Sequence, residues 1–408
     1  MNRHTPDPIS SRDDEWTGPR PALITLVLFA AVSPLAINMF VASMPDIAID
    51  LGASYATIQL GLSLYLFMTA WLQLVIGPLS DVYGRRPVIY TGLALFMVGT
   101  LICIFAQSAP GVLAGRIMQS GSAAGMVMSR AIVRDIYPRA KAASAMGYMV
   151  MGMAIAPMLG PAIGGVIAEL TNWRMIFVAL ALFGVAALVL GLFNLPETNR
   201  FRGTPLRQQI GTYKSLTRLP LFWLYAGISG FASAGFFSFV GGGPAVSAIY
   251  LGLSPSTYGL YFMFTALGYS IGNFLTGRYS ERHGLERMMI EGAFITIAGP
   301  LSTIVLFSMG IEHPLAFFLP MALVGFGNGL TLPNATTAAI SLKPDAAGAA
   351  SGLLGAIQIG IGAVASVLAG IVVGAEGLPI PLCILIAVGS FIALVLTMIA
   401  VRMSRRTP

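Results

Sequence analysis

Long apolar runs alternate with short polar segments along nearly the whole chain. Each run has about 20 residues or more, which as a helix is enough to cross a hydrocarbon core of roughly 30 Å. The pattern predicts an all-α integral membrane protein with twelve transmembrane helices. The predicted spans are residues 21–43, 56–76, 88–107, 111–130, 143–168, 174–195, 221–245, 256–276, 288–309, 314–337, 347–373 and 379–401.

The composition agrees with a chain that lies almost entirely within a membrane. Of its 408 residues, 56% are hydrophobic and 10% are charged, and the mean hydropathy is +0.82. Soluble proteins average about 45–50% apolar and about 25% charged residues. The spans leave no room for a separate soluble domain. Cys103 and Cys383 each lie inside an apolar run, where we expect them to pack as small hydrophobic side chains.

Positive charges lie in alternate connections between the apolar runs. With the amino terminus in the cytoplasm, the cytoplasmic loops and tails receive every Lys and Arg except Arg116, inside a span, and Arg174, at the start of the sixth. This bias predicts that both termini are cytoplasmic, with a disordered tail at 1–19 and a short tail at 403–408. The net charge of +7 comes in short clusters, which offer no basic face to a nucleic acid.

The longest cytoplasmic connection, residues 196–220, divides the chain into two predicted six-helix halves, residues 20–195 and 221–402. A repeat supports this division. At an offset of 200 residues, LGASYATIQL (51–60) aligns with LGLSPSTYGL (251–260), and GPLSDVYG (77–84) aligns with GRYSERHG (277–284). Parallel repeats predict a pseudo-symmetric molecule with its substrate site between the halves, near the bilayer midplane.

The segment GPLSDVYGRRP (77–87) connects the second and third spans on the cytoplasmic side. Gly77 permits a close helix approach, and Gly84 permits a positive φ. Arg85 and Arg86 fit the positive charge of cytoplasmic loops. That bias does not explain Asp81, because acidic residues contribute little to orientation.

This segment resembles the signature G-x-x-x-D-x-x-G-R-[RK] of the major facilitator superfamily. The resemblance implies a latch between the halves, in which the aspartate approaches the amino end of span eleven and the first arginine pairs with an acid at the inner end of span four. A helix amino terminus favours an anion, although Asp345, which follows Pro344, is an alternative cap for span eleven. The predicted latch residues are Gly77, Asp81, Gly84, Arg85, Arg86, Asp135 and Glu281.

Two further stretches extend the resemblance. LAGRIMQSGSAAG (113–125) resembles the superfamily's span-four motif R-x-x-x-x-G, and APMLGPAIGG (156–165) resembles the span-five motif of its antiporter branch. Regularly spaced small residues and a proline also suit simple helix packing. With NWRMIF (172–177) and LPET (195–198), these stretches look like the bicyclomycin/chloramphenicol-resistance (Bcr/CflA) branch of drug:proton antiporters. The packing motif comprises Gly160, Pro161, Gly164 and Gly165.

The branch resemblance implies a monomeric exporter of small lipophilic compounds in a bacterial inner membrane, with protons and the lipid bilayer as its other partners. No catalytic triad pattern, HExxH pair or metal-spaced cluster occurs in the spans, so we expect no enzyme activity, cofactor or metal. The sequence GxxxxGK[ST] is absent, and a gradient must supply the energy. The alternatives are a metabolite or sugar facilitator of the same fold and a transporter-like sensor.

Arg116 is the one cationic side chain well within a predicted span. Such a charge costs about 2.5–3.5 kcal/mol at a helix centre on insertion scales, and intramembrane charges usually face a cavity and serve function. The sequence therefore predicts a cavity-facing Arg116, which the resemblance links to proton coupling. In the alternative interpretation, Arg116 satisfies backbone carbonyls or reaches the outer interface.

The proton carrier is the weak point of the resemblance. Many relatives carry an aspartate in span one where this chain has Asn38, and an amide cannot release a proton. The carboxylates lie in tails, loops and span ends. The remaining coupling candidates, besides Arg116, are Asp46, Asp135 and Glu291. Two alternatives are that the substrate itself carries the charge and that transport is uncoupled.

Neutral polar and aromatic residues within the spans predict the cavity. Polar side chains are costly against lipid and should face the interior, whereas aromatic side chains also pack or touch lipid. A mostly apolar cavity suits neutral or weakly cationic lipophilic compounds better than sugars or phosphates. The predicted cavity residues are Asn38, Gln59, Tyr65, Arg116, Gln119, Phe236, Phe237, Tyr261, Asn334 and Gln358.

Overall fold

The computed structural model of the protein describes residues 18–137, 139–199, 213–343 and 346–404. All principal elements in these ranges are helices. They are α1 (Leu23–Val41), α2 (Met44–Asp50), α3 (Tyr55–Tyr83), α4 (Arg85–Phe105), α5 (Ala109–Gln119), α6 (Ala123–Ile136), α7 (Arg139–Leu170), α8 (Arg174–Asn194), α9 (Pro220–Ala245), α10 (Pro255–His283), α11 (Leu285–Ser308), α12 (Pro314–Ser341), α13 (Ala347–Val373) and α14 (Pro379–Ser404).

Nine helices in the described ranges are long and apolar enough to cross a membrane. Three further segments bring these ranges to the twelve predicted spans. They are α7, α10, and the pair α5 and α6, which a 3-10 turn at Ser120–Ser122 joins into one bent span. The all-α membrane fold is therefore confirmed. The predicted tails and the connection 196–220 lie partly outside the described residues.

Several spans are longer than their apolar runs. Helix α3 continues through Gly77–Tyr83, so most of the segment predicted to connect the second and third spans, including Asp81, is helical. Helix α9 continues past Gly241, Gly242 and Gly243 and is followed by a π-helical turn from Val246 to Tyr250. The physical reason is that an apolar run marks only the part of a helix that lies in hydrocarbon.

The outer surface of the bundle carries large apolar side chains, and its interior contains polar side chains packed among apolar ones. Phe193 and Phe274 are 85% and 68% exposed, whereas Asn334 and Ser366 are buried. This distribution fits a bundle whose surroundings are hydrocarbon, where polar groups must find partners inside the protein.

The repeat seen in the sequence has the same local geometry in both halves. Helices α3 and α10 each have 29 residues and begin 200 positions apart. Gly52 and Gly252 precede them with φ values of 59° and 63°. Gly84 and Gly284 end them with φ values of 103° and 81°. The equivalent turns therefore need glycine at the same two places.

The two predicted halves meet along two helix pairs, α3 with α13 and α7 with α10. The second pair approaches closely because both helices present glycine. A Cβ atom at Gly259 would lie 2.4 Å from the Cα of Ala162, and one at Gly165 would lie 2.2 Å from the carbonyl oxygen of Pro255. The Pro161 carbonyl also lies against Gly259.

The other two glycines of the packing motif face α1. A Cβ atom at Gly160 would lie 2.7 Å from the Cβ of Asn38, and one at Gly164 would lie 2.5 Å from the carbonyl oxygen of Met39. The motif therefore packs one helix against two neighbours, α1 within its own half and α10 across the interface.

We predict that Gly164→Val destabilises the protein by roughly 1–3 kcal/mol, because the added carbons collide with backbone that cannot move aside. Thermal unfolding of the detergent-solubilised protein measures the effect. The matched control is Gly277→Ala, since a Cβ at Gly277 has no neighbour within 4 Å. Equal unfolding temperatures for the two variants would contradict the close packing.

Candidate functional site

A cavity of about 180 Å³ lies in the second half, at the side that meets α7 of the first half. Helices α9, α10, α12 and α13 of the second half form most of its wall, and α7 contributes one residue. Its lining residues are Pro157, Ser233, Phe236, Phe237, Phe262, Ala266, Tyr269, Ser270, Gly325, Asn328, Leu332 and Gln358.

The cavity wall is aromatic and carries no formal charge. The rings of Phe236 and Phe237 meet edge to face with centroids 5.5 Å apart, and Phe262 lies 6.2 Å from Phe236. Asn328 Oδ1 and Ser233 Oγ are buried without a hydrogen-bond partner among the described residues. Such a wall accepts flat apolar groups and offers a few polar contacts.

Three predicted cavity residues, Phe236, Phe237 and Gln358, line this cavity. Two others in the second half lie outside its lining. Tyr261 stacks on another ring, that of Phe318, at 5.1 Å. Asn334 donates to the Leu330 carbonyl oxygen at 2.6 Å. The substrate role of the five residues stays a prediction.

Gln59 and Asn38 make structural contacts away from the cavity lining. Gln59 Nε2 donates to Ser366 Oγ at 2.7 Å and to Ser63 Oγ at 3.0 Å, so it joins α3 to α13 across the interface. Asn38 Nδ2 donates to the Pro34 carbonyl oxygen at 2.8 Å within α1. Neither side chain faces the cavity in this conformation.

Arg116 is fully buried inside the first half. Its guanidinium lies between two aromatic rings, 4.3 Å from the centroid of Phe40 and 4.4 Å from that of Tyr65. Its Nη1 donates to the Ala36 carbonyl oxygen at 2.9 Å and to Gln119 Oε1 at 2.8 Å. Aromatic faces and oxygen acceptors attract a desolvated guanidinium.

This arrangement corrects the expectation of a cavity-facing arginine, because backbone, amide and ring partners hold Arg116 within the first half. Gln119 in turn donates to Thr100 Oγ1 at 2.9 Å. The Tyr65 hydroxyl lies 2.7 Å from the Ser122 hydroxyl. Arg116, Gln119 and Tyr65 thus form one internal network, and the role of Arg116 in proton coupling stays a prediction.

Three of the predicted latch residues, Asp81, Arg85 and Asp135, meet at the end of α3. Arg85 Nη1 lies 2.6 Å from Asp81 Oδ1, and Arg85 Nε lies 3.1 Å from Asp135 Oδ2. Thr198 Oγ1 donates to the same Asp135 oxygen at 3.1 Å. Arg85 thereby ties α3 and α4 to Asp135 at the carboxyl end of α6, the second part of the fourth span, a pairing that the signature led us to expect. Arg86 instead lies over the Tyr90 ring, 5.4 Å from its centroid.

Glu197 completes this cluster and was not predicted. Its carboxylate oxygens accept from the backbone N–H groups of Arg85 and Arg86 at 2.9 and 3.1 Å, at the amino terminus of α4. Asn199 Nδ2 donates to the carbonyl oxygens of Ser80 and Asp81 at 3.0 Å. The acid in LPET was the only sequence signal. Residues 197–199, at the start of the connection 196–220, thus pack against the first half.

Asp81 also lines a cleft of about 280 Å³ with the amino-terminal turns of α13. Arg134 faces this helix, since its Nη1 would lie 3.0 Å from a Cβ at Gly348.

Gly77 lines the same cleft, and a Cβ there would meet nothing within 4 Å, so the predicted close approach at Gly77 is wrong. Pro344 and Asp345 lie outside the described residues. Glu281 is exposed on α10.

The remaining coupling candidates differ in their surroundings. Asp46 on α2 is partly buried, and this burial, together with the charge of Glu169, raises the pKa of its carboxyl. In contrast, hydrogen bonds from Trp173 and Arg174 lower the pKa of Asp50. Glu291 pairs with Arg287 at 2.8 Å in an exposed contact.

Comparison with known proteins decides the family. Residues 26–247 and 242–408 match the family model of the Major Facilitator Superfamily. The chain belongs to this superfamily. A bacterial homologue of the human lysosomal transporter Spinster, solved in an inward-facing and occupied conformation, has a TM-score of 0.72 over 93% of this chain and 96% of its own, at 18% identity. That likeness shows the fold alone.

Curated relatives in the superfamily cover most of the chain. Multidrug resistance protein D of Escherichia coli K12 is 31% identical, covering 84% of this chain and 87% of that protein. The chloramphenicol resistance protein of Pseudomonas aeruginosa is 30% identical, covering 83% and 79%. A bicyclomycin resistance protein homologue of Haemophilus influenzae is 28% identical, covering 84% and 87%. The resemblance to the bicyclomycin/chloramphenicol-resistance branch is thereby confirmed.

We predict that Glu197→Gln lowers stability by about 1 kcal/mol, because an amide replaces an anion at the α4 amino terminus. Denaturant or thermal unfolding of the purified protein measures the loss. Glu376→Gln, an exposed acid in the α13–α14 connection, is the control and should be neutral. A neutral Glu197→Gln would show that the carboxylate does not stabilise the latch.

Asp46 and Asp50 should make the stability of the protein depend on pH in opposite directions. The raised pKa of Asp46 gives a stabilisation present below its unfolded pKa and lost as pH rises through the folded value. The lowered pKa of Asp50 gives a stabilisation present above its unfolded pKa and lost as pH falls through the folded value. Unfolding temperatures of Asp46→Asn and Asp50→Asn, measured from pH 3 to 7, test this prediction. Asp46→Asn should lose the loss of stability with rising pH, and Asp50→Asn should lose the gain of stability with rising pH. Parallel profiles would contradict it.

Proposed function

We propose that this protein exports small lipophilic compounds in exchange for protons by alternating access, with halves 20–195 and 221–402 rocking about the cavity beside α7. The uncharged aromatic wall of the cavity carries the proposal, because it suits apolar compounds. The names of the relatives, which concern multidrug, bicyclomycin and chloramphenicol resistance, support the same substrate class.

Contacts between the halves at one end of the bundle support an alternating-access motion. The Tyr55 hydroxyl donates to the Gly241 carbonyl oxygen at 2.6 Å, and Gln59 bonds Ser366. Opening this end must break these hydrogen bonds between neutral groups. Because each is worth about 0.5–1.5 kcal/mol net, substrate or proton binding is strong enough to shift the balance.

The latch lies at the opposite end, which the arginine-rich loops assign to the cytoplasm in our proposal. Asp81 and Arg134 face the first turns of α13 across the cleft. An anion at a helix amino terminus contributes about 0.3–1 kcal/mol. We assign Asp81 the role of stabilising the closed cytoplasmic gate by approaching the amino terminus of α13 when the cleft closes, with Asp135 and Glu197 holding Arg85 and α4 in place.

Asp46 is our preferred proton carrier. It lies at the outer end of the first half, and its raised pKa favours the uptake of a proton from outside. Asp135 is already paired with Arg85, and Glu291 is already paired with Arg287. Arg116 would then act within the first half rather than on the substrate.

The test is reconstitution of the purified protein in vesicles. An imposed pH gradient, acidic inside, should drive uptake of radiolabelled chloramphenicol, and a protonophore should abolish it. Drug movement that ignores the gradient would refute proton exchange and leave the export of lipophilic compounds standing. Saturable sugar transport without drug transport would refute the proposed substrate class.

Replacing the proposed carrier makes a sharper prediction. Asp46→Asn should reduce gradient-driven uptake at least about 10-fold, because one charge no longer alternates, and should preserve drug exchange in the absence of a gradient. Asp50→Asn, on the same short helix, is the matched control and should keep both activities. If drug uptake by Asp46→Asn stays fully coupled to the pH gradient, Asp46 is not the proton carrier. The amide variants of Asp135 and Glu291, measured alongside, then test those two carboxylates for the same role.

A further inference from the structure

The cavity that α9, α10, α12 and α13 form beside α7 contains a polar feature that lipophilic export does not explain. Asn328 and Ser233 line it from α12 and α9. Each is 2% exposed. Asn328 Oδ1 and Ser233 Oγ have no hydrogen-bond partner in the part of the chain that the structure describes.

Unpartnered polar atoms at these positions are costly. A buried polar group without a hydrogen bond destabilises the folded protein by roughly 1–3 kcal/mol relative to one that is hydrogen-bonded. Two other buried amides donate hydrogen bonds, Gln119 to Thr100 and Asn334 to Leu330, whereas Asn38 Oδ1 and Gln73 Nε2 are also unpartnered among the described residues but lie outside this cavity lining. An occupant that hydrogen-bonds Asn328 therefore gains affinity that an apolar occupant of the same shape does not.

The size and shape of the wall restrict the occupant further. An engineered apolar cavity of about 150 Å³ holds one benzene molecule, and this one has a volume of about 180 Å³. Phe236, Phe237 and Phe262 present ring edges and faces at spacings of 5.5 and 6.2 Å. Aromatic pairs with centroids about 4.5–7 Å apart are favourable. The wall therefore fits a single further ring.

The lining carries no acid and no basic side chain. A charged occupant would lose its hydration without gaining a counter-ion here, which is strongly unfavourable. The terminal torsion of an asparagine amide is soft, so Asn328 can turn its oxygen or its nitrogen toward a ligand. A hydroxyl group, which both donates and accepts, matches either edge.

We propose that this cavity is a selective subsite for a neutral single-ring aromatic compound, or the aromatic end of a larger one, whose hydroxyl hydrogen-bonds Asn328 with support from Ser233. The inference rests on the proposed function and narrows its substrate class. Asn328 and Ser233 are its specificity-determining residues, and the phenylalanines supply affinity without selecting between polar groups.

The experiment compares phenol with anisole, in which a methyl group replaces the donated proton. Titration calorimetry uses the full-length protein in nanodiscs, with empty nanodiscs as the blank. Wild-type protein should bind phenol about 10-fold more tightly than anisole. Asn328→Leu should reduce this preference to within about 2-fold while it still binds anisole, which shows that the cavity is intact.

Thr331→Val is the matched control. Thr331 is another buried residue of α12 with an unpartnered hydroxyl, but it lies beside Gly292 of α11 and outside the cavity lining, so the variant should keep the preference. Equal binding of phenol and anisole by the wild type, or an undiminished preference in Asn328→Leu, would overturn the proposal. If Asn328→Leu binds neither probe, Ser233→Ala decides, since a reduced preference supports the subsite and an unchanged one refutes it.

The two proposals fail in different ways. Failure of drug export appears as wild-type vesicles that show no gradient-driven chloramphenicol uptake. Failure of the subsite appears as a wild-type protein that transports the drug but does not distinguish phenol from anisole.

Discussion

Hydrocarbon offers no hydrogen bonds, and the interior of this bundle is arranged around that constraint. Arg116 shows the strongest form of it, because its cation is enclosed by two aromatic rings, a backbone carbonyl and an amide oxygen. The glycine contacts follow from the same constraint. Apolar surface gives helices no reason to leave lipid, so close backbone packing has to hold them together.

The two halves share a frame and differ in their chemistry. Gly84 and Gly284 adopt similar positive φ values at equivalent helix ends, yet only the first of these ends carries the cluster of Asp81, Arg85 and Glu197. The corresponding Glu281 is exposed. Backbone geometry is set by a few glycines and caps and survives the divergence of a repeat, whereas an ion cluster depends on each of its side chains.

The sequence was sufficient for the fold because length and hydropathy determine membrane spans almost alone. The signature between spans two and three also predicted that Arg85 pairs with Asp135. The sequence did not reveal Glu197, because that contact joins residues more than 100 positions apart and no local pattern encodes it. Arg116 was misplaced for a related reason. Hydropathy shows that a charge lies at membrane depth but not which side of its helix it occupies.

The cavity wall belongs almost wholly to the second half, with Pro157 as the first half's contribution. The cluster of Asp81, Arg85 and Glu197 and the enclosed Arg116 belong to the first half. If the proposed function holds, recognition and motion are encoded in different parts of one chain. Such a separation would let natural variation alter what is carried without disturbing how the carrier turns over.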